Sequence, residues 1–164
     1  MQRILAVAMA ALFTGSCAGP SASFASGLCR AGETTYFSCP TARHKTIALC
    51  GGLPGALQYR YGTASKVELA YPQDAAEGPQ KLGYAHYARY QAERTEVGFS
   101  RADVDYAVFD YTEQGRRSAG VRVAGADGAE HEVICAGAID GRLEPLGKDL
   151  RCDADSALNG GQCP

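Results

Sequence analysis

At 164 residues, with 46% apolar residues and a formal net charge of −2, the chain suits one folded domain once any targeting segment is set aside. Its 16 basic against 18 acidic side chains exclude a general nucleic-acid binder, which needs a basic excess to displace counterions from phosphates. Tryptophan is absent, while 20 glycines and nine tyrosines describe a folded but turn-rich composition.

The N-terminus reads as a secretory signal. Arg3 supplies one positive charge, and the apolar run from Ile4 to Phe13 is too short to span a bilayer. Thr14-Gly15-Ser16-Cys17 resembles the lipobox of bacterial lipoproteins, with Thr14 where leucine is usual. In that reading cleavage precedes Cys17, whose sulfur carries the lipid. Two ordinary cleavage sites compete, after Ala18 with Ser16 three residues from the cut, and after Ala25 with Ser23. Residues 1–17 are therefore expected to be a signal peptide or lipoprotein signal, and 18–28 a flexible tether. A single domain is expected over 29–164, with an irregular tail from about 138.

Cys17 leaves the disulfide count under each of these cuts. Cys29, Cys39, Cys50, Cys135, Cys152 and Cys163 remain, an even number suited to a disulfide framework in an exported domain. Many pairings are possible, and the spacing does not choose among them. No C-x-x-C spacing occurs, which argues against zinc or redox chemistry.

From residue 33 the apolar pattern alternates with period two between short turns. It predicts strands at 34–39, 45–50, 55–61, 66–71, 84–90, 94–100, 104–111, 117–123 and 130–136. Val67, Leu69 and Tyr71 share one face opposite Lys66 and Glu68; Thr95, Val97 and Phe99 share another opposite Glu96. Gly115 and Asp127-Gly128 supply turn chemistry. Pro72 to Gly83 is the longest internal loop, a poor strand and a doubtful helix. The fold class expected is all-β, an antiparallel meander of about eight or nine strands closing as a sandwich or barrel. Beyond Gly137 no further strand is expected, and Cys152 and Cys163 are expected to pin the tail to the body.

The segments YFSCPTARHKTIALCGG, LQYRYG, VELAYP, RTEVGFSRADVDYAVFDY, AGVRV, ICAG and RCDADSAL carry a resemblance to a family of exported proteobacterial proteins. It covers roughly residues 29–158. The resemblance implies an exported, cysteine-containing, β-rich domain and brings no catalytic residues with it.

Catalytic signatures are missing: there is no G-x-S-x-G elbow, phosphate-binding glycine loop or H-E-x-x-H motif. His131-Glu132 begins like the last, but no histidine follows four positions on, and His131 reads as packed at a sheet edge. Ser100, His86 and Asp103 supply the residue types of a hydrolase triad without the geometry that defines one. Asp103, Asp105 and Asp110 lack the spacing of a calcium loop. No motif asks for a metal or cofactor.

The binding candidates lie elsewhere. Arg43, His44 and Lys45 occupy the expected tip of the first hairpin, where three basic side chains could enter an acidic cleft such as that of a cell-wall hydrolase. Tyr59, Arg60 and Tyr61 form a second candidate. In the strand around YAHYARY, Tyr84, His86 and Tyr90 share one face, and Tyr87 and Arg89 the other. Tyr87 and Arg89 are the expected exposed pair, because an unpaired arginine is rarely buried. The expectation is a non-enzymatic periplasmic or envelope protein that binds a protein partner, as an inhibitor or immunity protein against a cell-wall hydrolase. The alternative is a module for a glycan or other small ligand, with a hydrolase behind both. Membrane attachment would come only through a lipid on Cys17. Mass analysis of the exported protein tests the leader: lipidation predicts a mature chain beginning at an acylated Cys17, whereas the other cuts predict unmodified termini at Gly19 or Ser26.

Overall fold

A computed structural model describes residues 27–163; the leader, Cys17 and most of the expected tether lie outside the described residues. All nine expected strands form: β1 (Thr34–Pro40), β2 (Thr46–Gly52), β3 (Ala56–Thr63), β4 (Lys66–Tyr71), β5 (Gly83–Arg89), β6 (Ala92–Arg101), β7 (Val104–Glu113), β8 (Arg116–Ala124) and β9 (Glu130–Ile134). Two further strands, β10 (Asp140–Gly141) and β11 (Arg151–Cys152), correct the expectation of a strandless tail. Two-residue strands carry no periodicity, so only their backbone partners reveal them. The loop after β4 coils into a 3₁₀ turn (Ala75–Glu77) and one helical turn, α1 (Gly78–Lys81).

The strands make two sheets, β10-β1-β2-β3-β4 and β11-β5-β6-β7-β8-β9, which do not close into a barrel. The architecture is a sandwich. Neighbours pair antiparallel throughout except β11, which runs parallel to β5. Tight hairpins explain the order within the second sheet. Gln114 and Gly115 both take positive φ between β7 and β8, as a twist-matched two-residue turn requires. Ala102 and Asp103 do the same between β6 and β7 without a glycine.

Alternation decides what enters the core. Phe37, Ile47, Leu49, Leu57 and Tyr59 of the first sheet meet Val97, Phe99, Val108 and Val121 of the second. Phe99 stacks between Tyr71 and Tyr106, with ring centroids 4.4 and 4.8 Å away, and Tyr59 tilts onto it at 5.2 Å. Val67, expected on the apolar face, stays exposed because β4 is an edge strand and its register shifts at Gly62.

The pairing of the cysteines is Cys29–Cys50, Cys39–Cys135 and Cys152–Cys163. Cys39–Cys135 joins the two sheets, beside a bridge between Thr41 and Cys135. Cys152 and Cys163 bond each other and so do not pin the tail to the body, which corrects the expectation above. The tail is anchored instead by apolar burial and backbone pairing. Between β10 on one sheet and β11 on the other, Leu143, Leu146 and Leu150 are buried in the core. Asp110 accepts two hydrogen bonds from Arg117, at 2.7 and 2.8 Å, and Arg117 also reaches the carbonyl of Gly141 at 2.7 Å. That arginine therefore ties β8 to the edge of the opposite sheet.

On the outer face of the first sheet the N-terminal segment is sealed down. Leu28, expected in the tether, packs with Cys29, Ala48 and Cys50. Beneath it lies Arg60, 2% exposed, a buried arginine where a surface one was expected. Its guanidinium donates to both carboxylate oxygens of Glu33 (2.5 and 2.7 Å), to the carbonyl of Leu28 (2.8 Å) and to Gln58 Oε1 (2.7 Å). A buried charge is tolerable only when paired and hydrogen-bonded in this way.

Two outcomes are expected. Glu33→Ala leaves the Arg60 charge buried without its counterion and costs about 3 kcal/mol or more in denaturant unfolding. Arg60 holds the Glu33 carboxyl below its ordinary value of 4.5. Its stabilisation is thus present above that value and lost as pH falls through the lower folded value, so Glu33→Gln removes that part of the acid sensitivity. Among the disulfides, Cys39→Ala/Cys135→Ala lowers Tm most, since its crosslink spans 96 residues against 21 and 11 and is worth about 4.7 kcal/mol in loop-closure entropy.

Candidate functional site

The expected binding residues divide sharply by burial. Tyr59 and Arg60 are 1% and 2% exposed, so neither belongs to a surface. Tyr59 lies in the core by alternation; Arg60, on the opposite side of β3, is covered by the N-terminal segment. Tyr61 is half-buried, with Lys45 Nζ over its ring at 5.3 Å. Lys45 is also paired with Glu68 at 2.6 Å, leaving Arg43 and His44 as the exposed basic residues of the hairpin turn. The basic turn therefore presents two basic side chains without an ion-pair partner among the described residues, where three were expected.

Tyr87 and Arg89 are exposed, but so is Ala88 on the opposite face, while Ala85 on theirs is buried, so exposure in the last part of β5 does not follow the alternation. Tyr84, on the opposite face, is half-buried and donates its hydroxyl to the carbonyl of Glu144 at 3.0 Å. Tyr90 is 88% exposed because β5 ends at Arg89 and Tyr90 opens the turn, which corrects its expected place beside Tyr84. His131 lies on edge strand β9 as expected, but it is exposed and not packed.

The triad residue types do not converge. His86 is opposite Thr95 on β6, five positions from Ser100, a separation of about 17 Å along the strand. Ser100 Oγ donates to Asp105 at 2.5 Å, and His86 Nε2 lies 3.4 Å from Glu93. Among the described residues no three His, Cys, Asp or Glu side chains are arranged to hold a metal ion. Asp110 faces Arg117 on the core side of β7, which separates it from Asp103 and Asp105.

The structure reveals a concave site that the linear pattern did not. On the outer face of the second sheet, Tyr87 is opposite Arg94, and Arg94 is opposite Tyr111. One step along, Ala85, Glu96 and Phe109 form the next row; then come Gly83, Gly98, Ala107 and Arg122. The small side chains in these rows lower the floor, and the tail from Arg151 to Leu158 supplies a wall. Together they enclose a cleft of about 600 Å³.

Glu96 is the hub of this floor and only 8% exposed. Its Oε1 accepts from the Tyr111 hydroxyl and from Arg122 Nη2 at 2.7 Å. Arg122 also donates to the Tyr111 oxygen at 2.7 Å and lies 3.4 and 3.6 Å from Glu130 and Glu132. Arg94 pairs with Glu113 and sits over the Tyr111 ring at 5.4 Å. Burial and then Glu96 push the Tyr111 hydroxyl well above its ordinary value. Burial disfavours the charge on Arg122, but Glu96 and Tyr111 more than compensate, so it remains a cation.

The tail wall is held by Asn159. Its side chain donates to the carbonyls of Tyr84 and Asp153, at 3.3 and 2.7 Å, and accepts from the His86 amide at 3.1 Å. Asp153 then rests on glycines: a Cβ on Gly83 or Gly98 would lie 3.0 or 3.3 Å from its Oδ2. Glycine weakens a strand interior, and here it makes room for the carboxylate above.

Glu96 was legible as an outward residue from its parity with Val97. Its meeting with Tyr111 and Arg122 depends on the register of three strands, which residue spacing does not carry. No family model, curated protein or solved structure matches the chain. Three disulfides are compatible with an oxidising compartment outside the cytoplasm.

The network predicts a tyrosine titration. Followed by phenolate absorbance, Tyr111 ionises at lower pH in Glu96→Ala, because an anion and a hydrogen-bond acceptor are lost while Arg122 still favours the phenolate. Tyr59, raised by burial in the core, keeps its high value and serves as the internal reference.

Proposed function

We propose that this protein is an exported, non-catalytic binding protein of the bacterial envelope that engages a protein partner through the outer face of its second sheet. The observation that carries the reading is the placement of exposed Tyr87 in one cross-strand row with Arg94 and Tyr111, beside the cleft. Arg89 and Tyr90 extend that surface toward the β5–β6 turn. Tyrosine and arginine provide large contact area and planar hydrogen bonding at modest cost in conformational freedom, which is why they concentrate at binding hot spots. The signal-like N-terminus, the three disulfides and the resemblance to exported proteobacterial proteins support the location.

Within that class, inhibition of a cell-wall hydrolase or immunity against one is the task we assign. Arg43 and His44 offer a second, smaller contact for such a partner. The concavity beside Tyr111 favours one alternative, a glycan or other small ligand seated in the cleft.

Affinity capture from envelope extract with the wild-type domain, Tyr87→Ala/Arg89→Ala and Arg43→Ala/His44→Ala tests the face. The first pair is expected to lower recovery of the partner at least about tenfold with an unchanged thermal melt, corresponding to the loss of about 1.4 kcal/mol. The second pair is expected to have the smaller effect. Equal recovery by wild type and Tyr87→Ala/Arg89→Ala, with no protection against lysozyme-like enzymes, would sink the proposal.

A further inference from the structure

The chemistry of the cleft specifies what enters it. Five carboxylates (Glu96, Asp105, Glu130, Asp153 and Asp155) line it, against three guanidinium groups. Two of those three are already committed, Arg94 to Glu113, and Arg122 to Glu96 and Glu130. Asp105 accepts only from the Ser100 hydroxyl, and Asp153 Oδ1 from the amide of Asp155; neither is paired with a cation among the described residues. The cleft thus carries an excess of negative charge not neutralised from within.

A second observation points into the same space. Glu96 is buried, and both hydrogen bonds it receives arrive at Oε1. No donor reaches Oε2 among the described residues. Glu96 lines the cleft, so Oε2 is the oxygen left to accept from a donor that enters it. The remaining lining matters too. Ala107, Ala124, Leu158 and the Tyr111 ring add apolar surface to the lining. An apolar stem ending in a cation is the shape of a lysine or arginine side chain. Asp105 and Asp153 lie near the two ends of one path: Asp153 is over Gly98, and Asp105 is one outward-facing step, about 7 Å, beyond Ala107, the partner of Gly98.

We infer that the cleft is a receptor for a basic side chain, a lysine or arginine presented by the partner protein, whose charged head is bound by Glu96 Oε2 with Asp153, while Asp105 adds negative charge at the far end of the path. This rests on the reading of the second sheet as a protein-binding face and names the group that the partner inserts there. Tyr87, Arg89 and Tyr90 then form the surrounding contact, and the cleft selects the residue at its centre.

The test uses capped tripeptides with a central arginine, lysine, norleucine or glutamate, together with spermidine and chitotriose as other sources. Each is titrated into the isotopically labelled, disulfide-intact domain and followed by amide chemical shifts. The arginine and lysine peptides are expected to shift Glu96, Gly98, Ala107 and Asp153, with affinity falling as salt rises. The norleucine and glutamate peptides are expected to leave them unchanged. Glu96→Gln is expected to weaken the basic peptides at least about tenfold, the scale of a lost charged hydrogen bond. Asp153→Asn, which keeps the Oδ1 acceptor for Asp155, gives the same direction if Glu96→Gln disturbs the sheet. Shifts from norleucine equal to those from lysine, or tighter binding of chitotriose or spermidine than of either basic peptide, would overturn the inference. So would partner capture that depends on Tyr87 and Arg89 but is unaffected by both cleft variants, leaving the wider reading in place. Basic-peptide binding at the cleft together with capture indifferent to Tyr87 and Arg89 supports the receptor site and overturns the wider reading instead.

Discussion

Phe99 is held from both sides at the seam between the sheets, stacked on Tyr71 of the first and Tyr106 of the second, with Tyr59 leaning onto it. Much else follows from its inward position. A strand alternates its faces, so Phe99 and Val97 inside require Glu96, Gly98 and Ser100 outside. The same parity passes through the hydrogen-bonded register to β5, β7 and β8, placing Ala85, Tyr87, Ala107, Tyr111 and Arg122 on that outer surface. A slip of one residue in β6 would exchange core and cleft. The apolar seam, remote from any ligand, therefore determines which polar groups can meet one.

The two outer faces are finished in opposite ways by the two ends of the described chain. On the first sheet the N-terminal segment, crosslinked through Cys29–Cys50, closes over Arg60, whose charge is spent on Glu33, Gln58 and the backbone of Leu28. Buried at 2% exposure, that guanidinium is out of reach of a partner. On the second sheet the C-terminal segment stands along one side without closing the face. Leu143, Leu146 and Leu150 anchor it in the core, and Asn159 fixes its far part to β5. One arginine becomes structural under a lid, while Arg122 remains part of an open floor. Residue type is the same in both; coverage differs.

The two tyrosine- and arginine-rich strands separate for the same reason. Residues 59–61 belong to β3, an interior strand with the core on one side and the N-terminal segment on the other. Residues 87–89 belong to β5, and β11 pairs only with its start, at Gly83 and Tyr84. Beyond His86, whose amide is taken by Asn159, no described strand pairs with that edge. Similar short patterns thus acquire different roles from the layers around them.

Period-two alternation and turn residues were sufficient to locate nine strands and the all-β class, because each depends on neighbours in the chain. Cysteine number was likewise readable, while cysteine pairing was not, since Cys39 and Cys135 meet only when the sheets do. Tertiary structure alone decided that the strands stack as a sandwich, that Arg60 is buried, and that Glu96, Tyr111 and Arg122 converge. It also recruited the two-residue strands of the tail, whose hydrogen bonds come from backbone that every residue shares. Local pattern specifies which way a side chain points; which groups it meets there is set by register and by the segments laid across the sheet.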